Sequence, residues 1–302
     1  MRILVTGGTG FIGSNLVLEL MKENHDLLIT GHDAEFKIPN FQGKYLQPSF
    51  LGIDFEVIGK LDVLFHQAAI NDTTFLDRNE MIRANYESSK KLFEYVISKG
   101  CKRIVYASST AVYGNLPAPY KENGQVNPLN PYAESKVLLD ELAVKLAKEH
   151  TDVTIVGLRY CNVYGKNEKY KDKRATMIYQ LAQQMLKGNP RIFESGEQKR
   201  DYIYVKDVVQ ANLDASRAKK SCIVNCGYGE ATSFNKIIEL LNKVLKLNRT
   251  PEYIKNPYGE EYQSYTECDM TLAKEKIGFV PKYDIESGIK DYYEIGELVG
   301  RN

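Results

Sequence analysis

"RILVTGGTGFIGSNL", residues 2–16, reads as a buried strand, a glycine turn and the start of an apolar helix. The run Ile3, Leu4, Val5 suits a strand covered on both faces, and Gly7, Gly10 and Gly13 follow at its end. Small residues there let the backbone approach a pyrophosphate, which the free amides and positive end of the following helix can hold. Three glycines alone fit any tight turn. The strand before them and the apolar helix after them tie the pattern to dinucleotide binding.

The elements around this stretch continue it. Short apolar runs at about 2–6, 27–30, 62–66, 102–107 and 153–158 alternate with amphipathic stretches at about 11–23, 78–98 and 131–149. Such alternation implies βαβ units and a parallel sheet with helices on both faces. Gly100, after Lys99, marks the stop of the long middle helix. From about 165 the chain turns charged and Tyr-rich, with helices expected at about 174–187 and 233–246. The expected fold class is therefore α/β: a Rossmann-type doubly wound parallel sheet with a smaller C-terminal α/β substrate-binding domain. Residues 1–165, with a return segment near 200–224, form the dinucleotide-binding unit; 166–199 and 225–302 form the substrate-binding unit.

Over 302 residues, 40 basic and 39 acidic side chains leave a formal charge of +1. No global field recruits nucleic acid or an acidic membrane, so the expected partner is a small molecule. Cys101, Cys161, Cys222, Cys226 and Cys268 make an odd, scattered set, read as reduced thiols of a cytoplasmic protein. A metal site is not expected, because histidine is scarce near them. "MRILVTGG" lacks the order of a secretion signal, and no apolar run approaches the roughly 18 residues of a membrane span.

The second strand of such a fold ordinarily ends in a carboxylate that bonds the adenosine ribose. Here "LLITGHDAEFK" places Gly31 and His32 at that point, with Lys37 within reach. Removing the negative charge and adding a cation favours NADP; NAD remains open if Asp33 takes the acidic role.

Two further stretches carry chemistry. "RIVYASSTAVYG" is a strand ending in the hydroxyls of Ser108, Ser109 and Thr110, and strand ends are where open α/β folds place ligands. "NPYAESK", residues 130–136, opens a helix and sets Tyr132 and Lys136 four apart on one face. A phenol of pKa about 10 needs roughly 4 kcal/mol of preference for phenolate to titrate near 7. An ammonium about 4 Å away at an effective dielectric of about 20 supplies that order of energy. Tyr132 could then exchange a proton with a substrate hydroxyl beside a nicotinamide. Without the glycine turn, a packed Tyr and a solvated Lys would be the ordinary explanation.

The glycine turn, Ser109 and the Tyr132-x-x-x-Lys136 spacing resemble the extended short-chain dehydrogenase/reductase superfamily, whose members mostly rework nucleotide-activated sugars. The resemblance implies that Tyr132 is the acid/base, that Lys136 also holds the nicotinamide ribose and that Ser109 bonds the reacting oxygen. Dehydratases of the superfamily usually carry an acidic pair just after the catalytic hydroxyl residue, where this chain has Thr110-Ala111, leaving epimerisation or ketone reduction.

Along nearly its whole length the chain is similar to the family of ADP-L-glycero-D-manno-heptose 6-epimerases, through "FHQAAINDTT", "NYESSKKL", "NPLNPYAESK", "FESGEQKRDYIYVKDV" and "EEYQSYTECD". That resemblance implies a second acid/base at Lys171, although Lys166, Lys169 and Lys173 beside it also read as a solvated loop. It implies cofactor contacts at Phe11, Ile12, Gln67, Ala68, Ala69, Ile70, Asn71, Asn85 and Val163. It implies substrate contacts at Asn162, Lys173, Gln180, Phe193, Glu194, Ser195, Gly196, Arg200 and Tyr262. A guanidinium at Arg200 suits a diphosphate or sugar hydroxyls, and Arg200-Asp201 also fits a structural ion pair. A homo-oligomer is implied as well. The chain departs from the family at Lys166-Asn167, where Pro-Arg is usual, at Cys161, where an aromatic is usual, and at "YLQPSF", where an acidic residue near the adenine is usual. Expected is an NADP-dependent epimerase of a nucleotide-activated sugar. The competing expectations are a nucleotide-hexose 4-epimerase or 4-ketoreductase and a non-catalytic cofactor-binding protein.

Overall fold

The computed structural model describes residues 1–31, 37–46, 55–256 and 264–300, with the side chain of Lys173 left out. His32 and Tyr262 therefore lie outside the described residues.

Among the described residues, the main sheet is built from β1 (Arg2–Thr6), β2 (Asp26–Thr30), β3 (Lys44–Leu46), β4 (Val63–His66), β5 (Arg103–Ser109), β6 (Thr154–Tyr160) and a late strand, Cys222–Cys226. Their order is the late strand, β6, β5, β4, β1, β2, β3, and every pairing is parallel. Strand order reverses between β1 and β4, so a crevice opens at their C-terminal ends. Helix α1 (Phe11–Leu20) covers one face, where Leu16 and Val17 pack with Ile3 and Val5. The other face takes a helical stretch over 78–98 and a later helix, Pro131–Glu149, through Leu92, Phe93, Leu139 and Leu142.

The stretch 78–98 is not one regular helix. It runs as α2 (Arg78–Ile82), a π-helical turn over Arg83–Glu87, and α3 (Ser88–Ser98). The wide turn presents Asn85, 1% exposed, whose Oδ1 accepts from the Ile70 amide at 2.8 Å while its Nδ2 donates to the Ile70 carbonyl at 2.9 Å. A local irregularity thus braces the loop after β4, as such bulges do at ligand sites.

Helix α4 is Pro131–Glu149, and after β6 comes the short strand β7 (Asn162–Tyr164). The helix expected from 174 begins at Met177 (α5, Met177–Lys187), because residues 168–174 form a 3-10 turn with Asp172 at φ 51°. Next are β8 (Arg191–Phe193), β9 (Lys199–Tyr204), α6 (Val205–Ser216), β10 (Cys222–Cys226), β11 (Ala231–Ser233), α7 (Phe234–Leu245) and β12 (Glu252–Ile254). Of the 200–224 stretch read as returning to the sheet, β9 joins β7 and β11 in a separate sheet, and β10 takes the edge beside β6. Strands β8 and β12 pair separately, and α8 (Thr271–Ile277) and α9 (Ile285–Glu294) close the chain.

One expectation is corrected. Cys161, following β6, is bonded as a disulfide to Cys268, 107 residues later, and only Cys101, Cys222 and Cys226 are free thiols. The fold brings together two sulfurs that no local spacing connects. Among the described residues no helix is long and apolar enough to cross a membrane.

Candidate active site

The crevice at the strand-order reversal is a cleft of about 770 Å³. At one end lies the glycine turn. Gly10 N–H donates to the Gly7 carbonyl at 2.8 Å, and no side chain caps α1. A Cβ on Gly13 would sit 2.1 Å from Gly7 O, and one on Gly7, at φ +64°, would sit 2.8 Å from Ala68 N. The glycines leave backbone exposed along this wall, and the uncapped helix end faces it, which fits the pyrophosphate of a dinucleotide. Beyond it, a Cβ on Gly31 would meet Thr9 Oγ1 at 2.0 Å, so β2 ends without room for the usual acidic side chain. Lys37 lines this region, its ammonium 4.9 Å from the centre of the Tyr170 ring.

The loop after β4 forms the floor. Gln67, Ala68, Ala69, Ile70, Asn71 and Asn85 line the cleft with Phe11, Ile12 and Val163. The Gln67 amide is held from behind, donating to Asn212 and accepting from the Tyr160 hydroxyl.

At the far end stand Ser109, Tyr132 and Lys136. Asn130 caps α4 by accepting from Ala133 N–H at 2.9 Å, and Pro131 occupies its first turn, which aims Tyr132 at the end of β5. Ser109 is hydrogen-bonded to the Tyr132 phenol. Lys136 is 2% exposed and donates to the Ala107 carbonyl at 2.7 Å. Below it, Asp140 accepts from the Tyr106 hydroxyl and from Arg159 Nε, both at 2.9 Å.

The electrostatics differ from the sequence expectation. Burial raises the Tyr132 pKa, the bond to Ser109 offsets this only in part, and the Lys136 ammonium stands 5.8 Å from the centre of the phenol ring. Burial also pulls the Lys136 ammonium down to about 8, against a smaller opposing pull from Asp140. Removing water disfavours charge on both groups, and the ammonium is directed at a strand carbonyl. The protein alone therefore does not make the phenol acidic.

Lys171 reaches the same cleft from the loop after β7. It is half-buried, its ammonium 5.3 Å from the centre of the Phe11 ring, and burial lowers its pKa. The solvated-loop reading fails here because the loop is fastened to α1: Asn15 donates to the Lys166 carbonyl at 2.8 Å and Asn167 to Ser14 Oγ at 2.9 Å.

The expected substrate residues divide. Asn162 lines the cleft and donates to the Asp201 carbonyl at 2.9 Å. Gln180, Phe193, Glu194, Ser195, Gly196 and Arg200 do not line it. Gln180 donates to the Ala175 carbonyl at 2.6 Å, and the Arg200 guanidinium lies 5.8 Å from the centre of the Phe234 ring. Asp201 is buried and accepts from the amides of Tyr228, Gly229 and Cys268, with burial pushing its pKa up to about 7. Donor atoms of Cys161, Asp201 and Cys268 gather within 4.8 Å, but the sulfurs bond each other and the carboxylate is taken by amides.

Sequence reasoning passed over Thr176, Arg174 and Tyr170 as cleft groups; Ser108 also lines the cleft. Ser108 and Thr176 line the cleft, and their hydroxyl oxygens are buried without a hydrogen-bond partner. Ser108 was legible as a strand-end hydroxyl; Thr176 carried no local signal.

A backbone cradle for a pyrophosphate at one end and proton-handling groups at the other define a protein of the dinucleotide-dependent epimerase and dehydratase class. The chain belongs to the NAD dependent epimerase/dehydratase family, matched over residues 3–227. It is 35% identical to the ADP-L-glycero-D-manno-heptose-6-epimerase of Brachyspira hyodysenteriae, over 99% of this chain and 98% of that protein. The crystal structure of the Helicobacter pylori ADP-L-glycero-D-manno-heptose-6-epimerase superposes with a TM-score of 0.88 at 35% identity, covering 99% of this chain and 96% of that one. The UDP-glucose 4-epimerase of Thermotoga maritima, solved with UDP-glucose, gives 0.87 at 29% identity over 100% of both chains.

Proposed function

We propose that the protein is an epimerase of a nucleotide-linked heptose, inverting the side-chain carbinol at C6 through a transient ketone, with NADP as its dinucleotide. The observation that carries this reading is the meeting of Lys171 with Ser109, Tyr132 and Lys136 in one cleft. Inverting a carbinol exposes its oxygen at two places, and two proton-handling groups serve it better than one.

A bound nicotinamide dinucleotide would supply reversible two-electron oxidation and reduction, and a positive charge in its oxidised form. The glycine turn and α1 would hold its pyrophosphate, Lys136 its nicotinamide ribose, and Lys37 a 2'-phosphate. On the protein side, Ser109 orients the reacting oxygen and Tyr132 takes or returns its proton on one face. Lys171, whose charged form burial already disfavours, does so on the other. One group gains the proton that the other loses, so there is no net proton change, and exchange with solvent restores both groups before the next turnover. Gly31 and Lys37 support NADP over NAD, since the position that ends β2 carries no side chain to repel a phosphate and a cation lines the cleft nearby; Asp33, the alternative acidic residue, lies outside the described residues. The homo-oligomer implied by the resemblance belongs to the same reading.

Incubation with the D-glycero ADP-heptose, followed by NMR, should show conversion to the L-glycero epimer; unchanged substrate refutes the proposal. The likeness to a UDP-glucose 4-epimerase favours a second reading, a nucleotide-hexose 4-epimerase or 4-ketoreductase. Near-normal turnover of a hexose by Lys171→Met would select it.

A further inference from the structure

The loop from Gly165 to Thr176 carries Lys171 to the cleft, and its interior is organised around one acidic side chain. Glu168 is 0% exposed. Its Oε2 accepts from the Gly165 amide at 3.3 Å and its Oε1 from the Thr176 amide at 2.5 Å. One carboxylate thus ties the start of the loop to its end, eleven residues apart in sequence by the numbering of the two amides. Between these anchors Asn167 and Asp172 adopt positive φ, 68° and 51°, which a free loop would relax.

A fully buried carboxylate is costly unless it is hydrogen-bonded and paired, and two amides satisfy only part of its capacity. The charged groups acting on Lys171 are Glu168, which favours its ammonium, and Arg174, which opposes it. Around Glu168 stand the phenols of Tyr164, Tyr179 and Tyr292, none of them a cation. Burial pushes the Glu168 carboxyl up, and the Lys171 ammonium and the Thr176 and Gly165 amides pull against that rise.

We propose that Glu168 is a positioning residue for the cleft: its carboxylate closes the 165–176 loop on itself and holds the Lys171 ammonium at the wall beside Phe11. Its catalytic consequence rests on the reading of Lys171 as the second acid/base. A group that must both lose and regain a proton works best when its charge is neither buried unpaired nor locked in a tight bidentate pair. A carboxylate whose oxygens are shared with backbone amides meets that requirement.

The test uses the full chain labelled with 13C at the lysine ε-carbons, the Lys171 signal being identified by its loss in Lys171→Met. Glu168→Gln keeps the size of the side chain but removes its charge, and should lower the Lys171 titration midpoint by about one pH unit. It should also lower kcat at least about tenfold while leaving KM for the sugar nucleotide within about twofold. A midpoint unchanged from that of the parent protein overturns the inference, whatever happens to kcat. If the midpoint moves but Lys171→Met still turns over at the parent rate, Glu168 does position Lys171 and the acid/base reading of Lys171 is what fails. Should Glu168→Gln not fold, Glu168→Asp carries the test. It keeps the charge but shortens the reach, so the midpoint should stay while kcat falls; an unaltered kcat overturns the inference where Lys171→Met is impaired, and overturns the acid/base reading of Lys171 where it is not.

Discussion

Lys136 Nζ lies 2.7 Å from the Ala107 carbonyl oxygen, so an ammonium on α4 is anchored to the end of β5, while it stands 5.8 Å from the centre of the Tyr132 ring. Burying this charge costs stability. Its pKa in the folded chain is about 8 against 10.5 when free. Below about pH 8 both states hold the proton and the penalty is full; as pH rises from 8 to 10.5 the unfolded state retains more protons, and the penalty is relieved. Lys136→Met should therefore raise the stability measured by urea unfolding at pH 7 by about 2–3 kcal/mol, after allowing for the lost hydrogen bond. The gain should shrink towards pH 10. A variant less stable than the parent at pH 7 would contradict this account.

The close approach at the glycine turn is equally testable. A Cβ on Gly13 would fall 2.1 Å from Gly7 O, and the obstructing atom is backbone that no rotamer can move aside. Gly13→Ala should push α1 away from the turn and cost about 1–3 kcal/mol of stability. Dinucleotide binding, followed by calorimetry, should weaken by at least about tenfold, because the amides that face the pyrophosphate move with the helix.

Lys37 gives a test of cofactor choice. Its ammonium lies over the Tyr170 ring in a cleft that Gly31, the residue after β2, also lines. Lys37→Ala should weaken NADP binding by about tenfold, the scale of one charge-assisted hydrogen bond, and leave NAD affinity nearly unaltered. Equal losses for both dinucleotides would assign Lys37 to packing.

The disulfide between Cys161 and Cys268 closes a loop of separation 107. Peptide mapping without reductant should recover the linked pair. Cys268→Ala, compared with the parent under oxidising conditions, should lower stability by about 2–4 kcal/mol. The difference should vanish when both are measured in excess dithiol.

The glycine turn, the alternation of strands and helices and the pairing of Tyr132 with Lys136 were legible because each is set by neighbours within one or two turns of chain. Asn130 and Pro131 start α4 where expected, and β5 ends in the expected hydroxyls. Less legible was the middle helix, read as continuous over 78–98, where the need to brace Ile70 inserts a π turn at Asn85. Glu168 was missed because an acid among lysines ordinarily marks a solvated loop, and nothing local says that this loop folds over its own carboxylate. The cysteines were misread because two sulfurs separated by 107 positions carry no mutual signal in sequence.

Sequence by itself therefore determined the parallel α/β sheet, the dinucleotide cradle and the Ser109, Tyr132, Lys136 set, since periodicity, capping and glycine placement act over short distances. Only the tertiary structure decided how those groups are charged. Burial is a property of everything packed around a side chain, so it was the assembled fold that raised Tyr132, lowered Lys136 and Lys171, and enclosed Glu168.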